Sequence, residues 1–252
     1  MADRIEISPQ DRVFVLSGAG ISAESGFATF RASDGLWSGH RIEDVATPEG
    51  WHDDPSLVWR FYSQRRRDAA KAQPNPAHWA LADLEAAIGR QGDGDRFFLC
   101  TQNVDDLHER AGSQRMIHMH GQLFESRCED YCGQPVFADR SECLTLEGIA
   151  RCKCGARIRP HIVWFGEIPL DMDRIQREID RCTVLLVVGT SGVVYPAANF
   201  IHWANQRNRH GKREVRTVYV GPERPANADA FSQIVLGKAG EVIPGLFEVA
   251  AL

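Results

Sequence analysis

Val13-Phe-Val-Leu-Ser-Gly18-Ala19-Gly20-Ile-Ser-Ala-Glu24-Ser-Gly26 is the stretch that decides the fold of this chain. An apolar run stops at a glycine pair, and a helix-forming stretch follows directly. Hydrophobic residues on both faces mark Arg12–Ser17 as a strand buried in a parallel sheet. Gly18 and Gly20 carry no Cβ, so the phosphates of a ligand can approach the backbone closely. A helix opening near Ile21 turns its free N–H groups toward such an anion. The spacing departs from G-x-G-x-x-G, because Ala23 stands at the third position and the next glycine is Gly26. Alone, the pair fits a plain strand–helix turn equally well.

Similar apolar runs recur along the chain. Arg96–Thr101, Val184–Gly189, Val215–Val220 and a short segment near Arg115–His118 read as strands. Asn75–Gly89, Asp105–Ala111, Asp171–Cys182, Pro196–Asn208 and Ala226–Leu236 read as helices between or after them. The alternation predicts an α/β fold, a Rossmann-like doubly wound parallel sheet. Two segments break it: Pro55–Ala72, read as a helix closed by Pro74-Asn75-Pro76, and the cysteine-bearing Leu123–Pro160. The expected organisation is a discontinuous nucleotide-binding domain of residues 1–38, 74–122 and 161–252. Insertions 39–73 and 123–160 then pack together as a smaller, zinc-binding lobe, with a ligand crevice between the lobes.

Bulk properties exclude several classes. The 252 residues are 43% hydrophobic and 25% charged, as in ordinary globular proteins, with a net charge of −5. That balance argues against a dominant nucleic-acid surface. No apolar stretch is long enough to cross a membrane, and the first ten residues lack a signal-peptide core, so a cytoplasmic protein is expected. Seven cysteines are then thiols or metal ligands before they are disulfides. Cys100 and Cys182 border apolar runs and read as buried small hydrophobes. Cys128-x3-Cys132 and Cys152-x-Cys154 form two short pairs suited to a tetrahedral, structural zinc, with Cys143 as a possible substitute for Cys132. Reduced cysteines without metal are the plain alternative.

Five separated motifs appear in order: Gly18 through Phe30-Arg31 to Gly35-Leu36-Trp37; Thr101-Gln102-Asn103-Val104-Asp105; His118-Met-His120-Gly121; Arg159-Pro-His-Ile-Val163-Trp164-Phe165-Gly166-Glu167; and Gly189-Thr190-Ser191. In order and spacing this set resembles the sirtuin family of NAD-dependent protein lysine deacylases, over about Arg12 to Leu246. The resemblance implies that NAD is held by Gly18, Ala19, Gly20, Glu24, Phe30, Arg31 and Trp37. Gln102, Asn103 and Asp105 would line the nicotinamide and ribose pocket. Gly189, Thr190, Ser191, Gly221, Glu223 and Ala239 would contact the adenosine half. Two departures stand out: Ala28 replaces a usual proline, and Gly221-Pro-Glu223 replaces the common Asn-x-Glu.

The same resemblance makes His120 the general base, whose ordinary pKa near 6.5 suits a neutral imidazole at physiological pH. It assigns the structural zinc to Cys128, Cys132, Cys152 and Cys154. It lays an acylated protein or peptide lysine against Val163, Trp164, Phe165, Gly166 and Glu167 by β-augmentation. Tyr62 and Arg65 share a helix face and match the subclass that removes acidic acyl groups. By spacing alone, Arg65-Arg66-Arg67 reads as a solvated basic face. The implied reaction consumes NAD: the acyl oxygen attacks the ribose carbon bearing nicotinamide, and His120 deprotonates a ribose hydroxyl. Free lysine, nicotinamide and 2′-O-acyl-ADP-ribose are the products. The rival readings are an NAD-dependent oxidoreductase, an ADP-ribosyltransferase using the same site, and a zinc-ribbon nucleic-acid adaptor.

Overall fold

The computed structural model describes residues 4–26, 36–92, 94–190, 196–209 and 214–250. Its centre is a six-stranded, wholly parallel sheet in the spatial order Gln233–Leu236, Arg216–Gly221, Val184–Val188, Val13–Ser17, Phe97–Thr101, Met116–His118. Numbered along the chain, this is the 3-2-1-4-5-6 order of dinucleotide-binding sheets. Val13–Ser17, Phe97–Thr101 and Val184–Val188 are buried at every position. Continuous apolar runs suit them because both sheet faces are covered.

The two-residue period of a strand divides the core. On one face Val13, Val15, Leu99 and Leu186 pack against Leu81, Leu84 and Ile88 of helix Pro76–Gly89 and Ile243 of helix Ala239–Leu246. On the other, Phe14, Leu16, Phe98 and Val187 pack against Ile175 and Ile179 of helix Met172–Arg181 and Ile201 of helix Phe200–Arg209. A third core lies off the sheet. It joins Val58, Trp59 and Tyr62 of helix Pro55–Lys71 to Leu123, Cys128, Cys152, Ile158 and Trp164. The antiparallel sheet Phe137–Ala138, Gly121–Cys128, Ile158–Ile162 forms its floor. Among the described residues no helix is long and apolar enough to cross a membrane.

The structure corrects several element assignments. Ala226–Leu236 is not a helix but a single turn, Ala228–Ala230, followed by the sheet-edge strand Gln233–Leu236. Ser232 causes the change: Ser232 N–H donates to Thr217 Oγ1, and Thr217 N–H donates to Ser232 Oγ, both at 2.9 Å. That reciprocal pair draws the chain into the sheet. The helix expected near Ile21 is a tighter 3-10 segment, Ala19–Ser25, ended by Gly26 in the left-handed region. Unforeseen, Ile5–Ile7 and Phe247–Val249 pair in parallel and bring the two ends of the chain together.

Two buried histidines, His78 and His108, lie side by side. His78 Nδ1 accepts the Asn75 N–H at the start of helix Pro76–Gly89, and its ring centroid is 4.8 Å from that of His108. Burial lowers the pKa of His78 to about 4, and that of His108 well below 6.5. In the unfolded chain each protonates near 6.5. Between that pH and about 4 the unfolded state therefore binds more protons, and stability falls as pH falls. His118, whose pKa is raised, works in the opposite direction. His78 alone is expected to cost about 2 kcal/mol between pH 7 and pH 5. Urea unfolding across this range should show a slope smaller by about one proton in His78→Gln. An unchanged slope would contradict the assignment.

Candidate active site

The site begins where the sheet reverses, between the carboxyl ends of Val13–Ser17 and Val184–Val188. The Gly18 N–H donates to Val188 O at 3.0 Å, and the Gly20 N–H to Gly189 O at 2.7 Å. A Cβ at Gly20 would stand 2.8 Å from Gly189 Cα, and one at Gly189 would stand 2.3 Å from Ile21 N. The glycines are thus required first by each other: two loops meet backbone to backbone, and their outer edge is left for a ligand.

The next strand end carries the polar wall. The Gln102 N–H donates to Ser17 O, and Gln102 Nε2 is buried with no hydrogen-bond partner among the described residues. Asn103 Nδ2 donates to Ser22 Oγ at 3.1 Å, and Ser22 Oγ donates to Asp105 Oδ2 at 3.1 Å. Ser22 therefore ties the glycine-loop helix to two residues of the wall, Asn103 and Asp105. Asp105 is almost fully buried, which raises its pKa against bonds from Leu107 N–H and Ser22 that stabilise the charge. A buried amide donor, a second amide and a carboxylate beside the glycine loops fit the amide and hydroxyls of a nicotinamide riboside.

His120 faces this wall. Its Nδ1 lies 3.1 Å from Gln102 O, so the carbonyl holds the proton on Nδ1 and leaves Nε2 as the bare acceptor. Burial lowers its pKa to about 4, which keeps the ring neutral. His118 differs: Nδ1 bonds Asn103 O at 2.7 Å, and Nε2 bonds Glu109 Oε1 at 2.6 Å. Both nitrogens are engaged, so this residue positions Asn103. Gly121 has φ +80°, and a Cβ there would overlap His161 O at 2.0 Å. Glycine after His120 lets the strand Ile158–Ile162 close in beside it.

That strand leads into Val163–Glu167. The Val163 N–H donates to His120 O and the Phe165 N–H to Ala46 O, both at 2.9 Å. Phe165 and Gly166 are exposed, whereas Trp164 is buried. Tyr62, bonded to Trp164 of this segment, and Arg65 are 0% and 2% exposed. The solvated basic face is thereby excluded for Arg65, and also for Arg66. Arg65 Nη1 donates to Ser38 Oγ at 3.3 Å, and its guanidinium carbon is 5.2 Å from the Trp37 ring centroid. Trp37 also packs edge-on to Phe61 and Tyr62. Trp37, expected to help hold NAD, thus packs beside Tyr62 and Arg65.

The four cysteines of the paired motifs converge. The Sγ atoms of Cys128, Cys132, Cys152 and Cys154 all lie within 4.8 Å of one another. Cys128–Cys154 and Cys132–Cys152 are separated by 3.6 and 3.4 Å. Tetrahedral zinc with Zn–S bonds of about 2.3 Å needs edges of about 3.8 Å, so the set fits. Cys143 lies elsewhere, with its Sγ on Thr145 O at 3.2 Å.

Comparison with known proteins decides the lineage. Residues 18–196 match the model of the Sir2 family. The chain belongs to the Sir2 family. It is 46% identical over 251 residues to the NAD-dependent protein deacylase of Escherichia coli strain K12, covering 96% of this chain and 83% of that one. It is 47% identical over 238 residues to the Shewanella oneidensis NAD-dependent protein deacylase, covering 94% and 93%. Among solved structures, a Sir2 homologue–NAD complex superimposes with a TM-score of 0.81 at 40% identity, over 94% of this chain and 89% of the other.

Seen as a Sir2 protein, the chain brings together Gly18, Ala19, Gly20, Gln102, Asn103, Asp105, His120, Gly189 and Thr190 at the sheet's carboxyl edge. Phe30, Arg31 and Ser191 lie outside the described residues. Glu24 is already engaged, since its Oε2 accepts the Gly240 N–H at 2.7 Å and so fixes the start of the helix that carries Ala239. Gly221 closes its strand, and Glu223 is solvent-exposed. Sequence reasoning missed Ser22 and Arg66. Ser22 gives no local signal because its partners lie more than 80 residues away. Arg66 pins the cysteine-bearing insertion by donating to Leu123 O, Glu125 O, Ser126 Oγ, Asp139 Oδ2 and Ser141 O.

The metal assignment has a direct check. Elemental analysis of untreated protein should find one zinc per chain, retained in Cys143→Ala and lost in Cys152→Ala. Cys152→Ala should also expose the small lobe to proteolysis, since metal binding and local folding are linked. Zinc lost from Cys143→Ala but kept in Cys132→Ala would overturn this ligand set.

Proposed function

We propose that this chain removes succinyl and malonyl groups, and acetyl groups as well, from lysine side chains of proteins and peptides. The broader statement is secure: as a Sir2 enzyme it is an NAD-dependent protein deacylase. The observation that carries the finer one is the burial of both Tyr62 and Arg65, with Tyr62 Oη bonded to Trp164 of Val163–Glu167. A guanidinium and a phenol buried on one helix face suit an acyl chain that ends in a carboxylate, through charge-assisted hydrogen bonds.

NAD, when bound, supplies an electrophilic ribose carbon with nicotinamide as its leaving group. Gln102, Asn103 and Asp105 hold the carboxamide and ribose, and the loops at Gly18–Gly20 and Gly189–Thr190 receive the phosphates and adenosine. Phe30, Arg31, Ser191, Glu223 and Ala239 belong to the same proposed cofactor set. His120 Nε2 takes a proton from a ribose hydroxyl, as its neutral ring and fixed tautomer permit. Val163–Glu167 aligns the substrate backbone, and Phe165 and Gly166 present the exposed edge. Cys128, Cys132, Cys152 and Cys154 would hold a zinc through four thiolates, a structural role that would serve the small lobe.

Mass spectrometry of one peptide, acetylated or succinylated, with and without NAD tests the reading. His120→Ala should bind NAD yet lose roughly 100- to 10,000-fold in turnover of both substrates. Arg65→Met keeps length and removes charge. It should cost roughly 2–5 kcal/mol in kcat/KM for the succinyl peptide while leaving the acetyl peptide little changed. Equal losses on both substrates would make Arg65 structural and end the acidic-acyl reading.

A further inference from the structure

Trp164 belongs to the segment that receives the substrate backbone, yet its side chain is only 2% exposed. Its Nε1–H donates to Tyr62 Oη at 3.1 Å. An indole nitrogen can only donate, so the Tyr62 oxygen accepts here and its own proton remains uncommitted. Among the described residues, Tyr62 donates that proton to no group. The phenol is thereby held with one side filled by a donor and the other offering a donor. Burial pushes its pKa up, so it stays neutral and keeps the proton.

The indole itself is tightly held. The Arg159 guanidinium carbon lies 3.1 Å from the Trp164 ring centroid, and the Trp51 ring packs at 5.8 Å. Arg159 binds both carboxylate oxygens of Glu167, at 2.8 and 3.0 Å, and Ile162 O at 2.7 Å. Glu167 Oε2 also accepts the Trp164 backbone N–H at 2.8 Å, and Arg127 donates to Oε1 at 3.1 Å. Glu167, through Arg159, thus sets the plane of the Trp164 indole, and the indole sets the phenol.

We propose that Trp164, clamped by Arg159 and Glu167, is a positioning residue for acyl choice, its indole N–H turning the Tyr62 hydroxyl proton toward the distal carboxylate of an acidic acyl chain. This rests on the acidic-acyl reading above. An acetyl group has no acceptor at that position, so the orientation matters only for the acidic substrate. The effect belongs to substrate binding rather than to the chemical step, because Tyr62 touches the acyl terminus and not the reacting carbon.

Trp164→Phe preserves an aromatic ring between Arg159 and Trp51 and deletes only the donor. In the full-length enzyme at saturating NAD, the succinyl/acetyl ratio of kcat/KM should fall about 3- to 10-fold, the size of one neutral hydrogen bond. The fall should come through KM for the succinyl peptide; because Trp164 also lies in the segment that binds the peptide, the quantity read is the ratio rather than either substrate's absolute rate. In a Tyr62→Phe background there is no hydroxyl to orient, so adding Trp164→Phe should leave the ratio unchanged. Because the ratio does not depend on the folded fraction, a partly unfolded variant still reports. An unmoved ratio in Trp164→Phe, or multiplicative effects in the double variant, would overturn the inference. Arg65→Met separates the two claims. If it leaves the ratio unmoved, the acidic-acyl reading has failed; if it lowers the ratio and Trp164→Phe does not, this inference has failed.

Discussion

At the seam between Val13–Ser17 and Val184–Val188 two loops approach so closely that neither tolerates a side chain. Gly20 N–H reaches Gly189 O at 2.7 Å, and a Cβ on Gly18, Gly20 or Gly189 would meet backbone atoms at 2.8 Å or less. This contact fixes where the crevice opens, because both loops leave the sheet there in opposite directions. Ser22, one turn beyond Gly20, then reaches Asn103 and Asp105, and Gln102 is bonded to Ser17. The amide-and-carboxylate wall and the glycine loops are therefore one unit. Moving one loop would carry the polar wall with it.

The small lobe depends on a different device. Its apolar core is shared between helix Pro55–Lys71 and an insertion that has only two long strands and exposes Val136, Phe137, Leu144 and Leu146. So little burial leaves chain entropy poorly opposed, and small units of this kind rely on added links. Two are present: the four-thiol cluster and the Arg66 fork. A buried guanidinium is expensive unless its donors are satisfied. Arg66 satisfies them on five acceptors spread over Leu123–Ser141, so it also fixes the path of that segment.

Much of this was legible where hydrophobic pattern and burial coincide. The three central strands are apolar at nearly every position because both their faces are covered, and the cysteine pairs announced a tetrahedral cluster by their spacing. What escaped was tertiary. Gln233–Leu236 is a four-residue edge strand with one well-buried side chain, too short for a period to show, and a cross-strand Ser–Thr exchange holds it. Arg65-Arg66-Arg67 reads as a polar helix face until the lobe closes over two of the three. Ser22 looks like any serine near a glycine turn. Its role exists only once the strands carrying Asn103 and Asp105 lie beside it.

On the proposed reading, the way Tyr62 and Arg65 are held also sets how strict acyl choice can be. A site built to bind a carboxylate rejects a substrate lacking one to the extent that its own polar groups are then stranded. Here they are not fully stranded. Arg65 keeps Ser38 Oγ and the Trp37 face, with Asp68 and Asp105 favouring its charge from further away. Tyr62 keeps the Trp164 N–H. An acetyl group therefore leaves both side chains with the partners they already hold. The preference that follows is graded: acidic acyl groups gain the charge-assisted pair, acetyl groups lose it without a large penalty, and one pocket serves both.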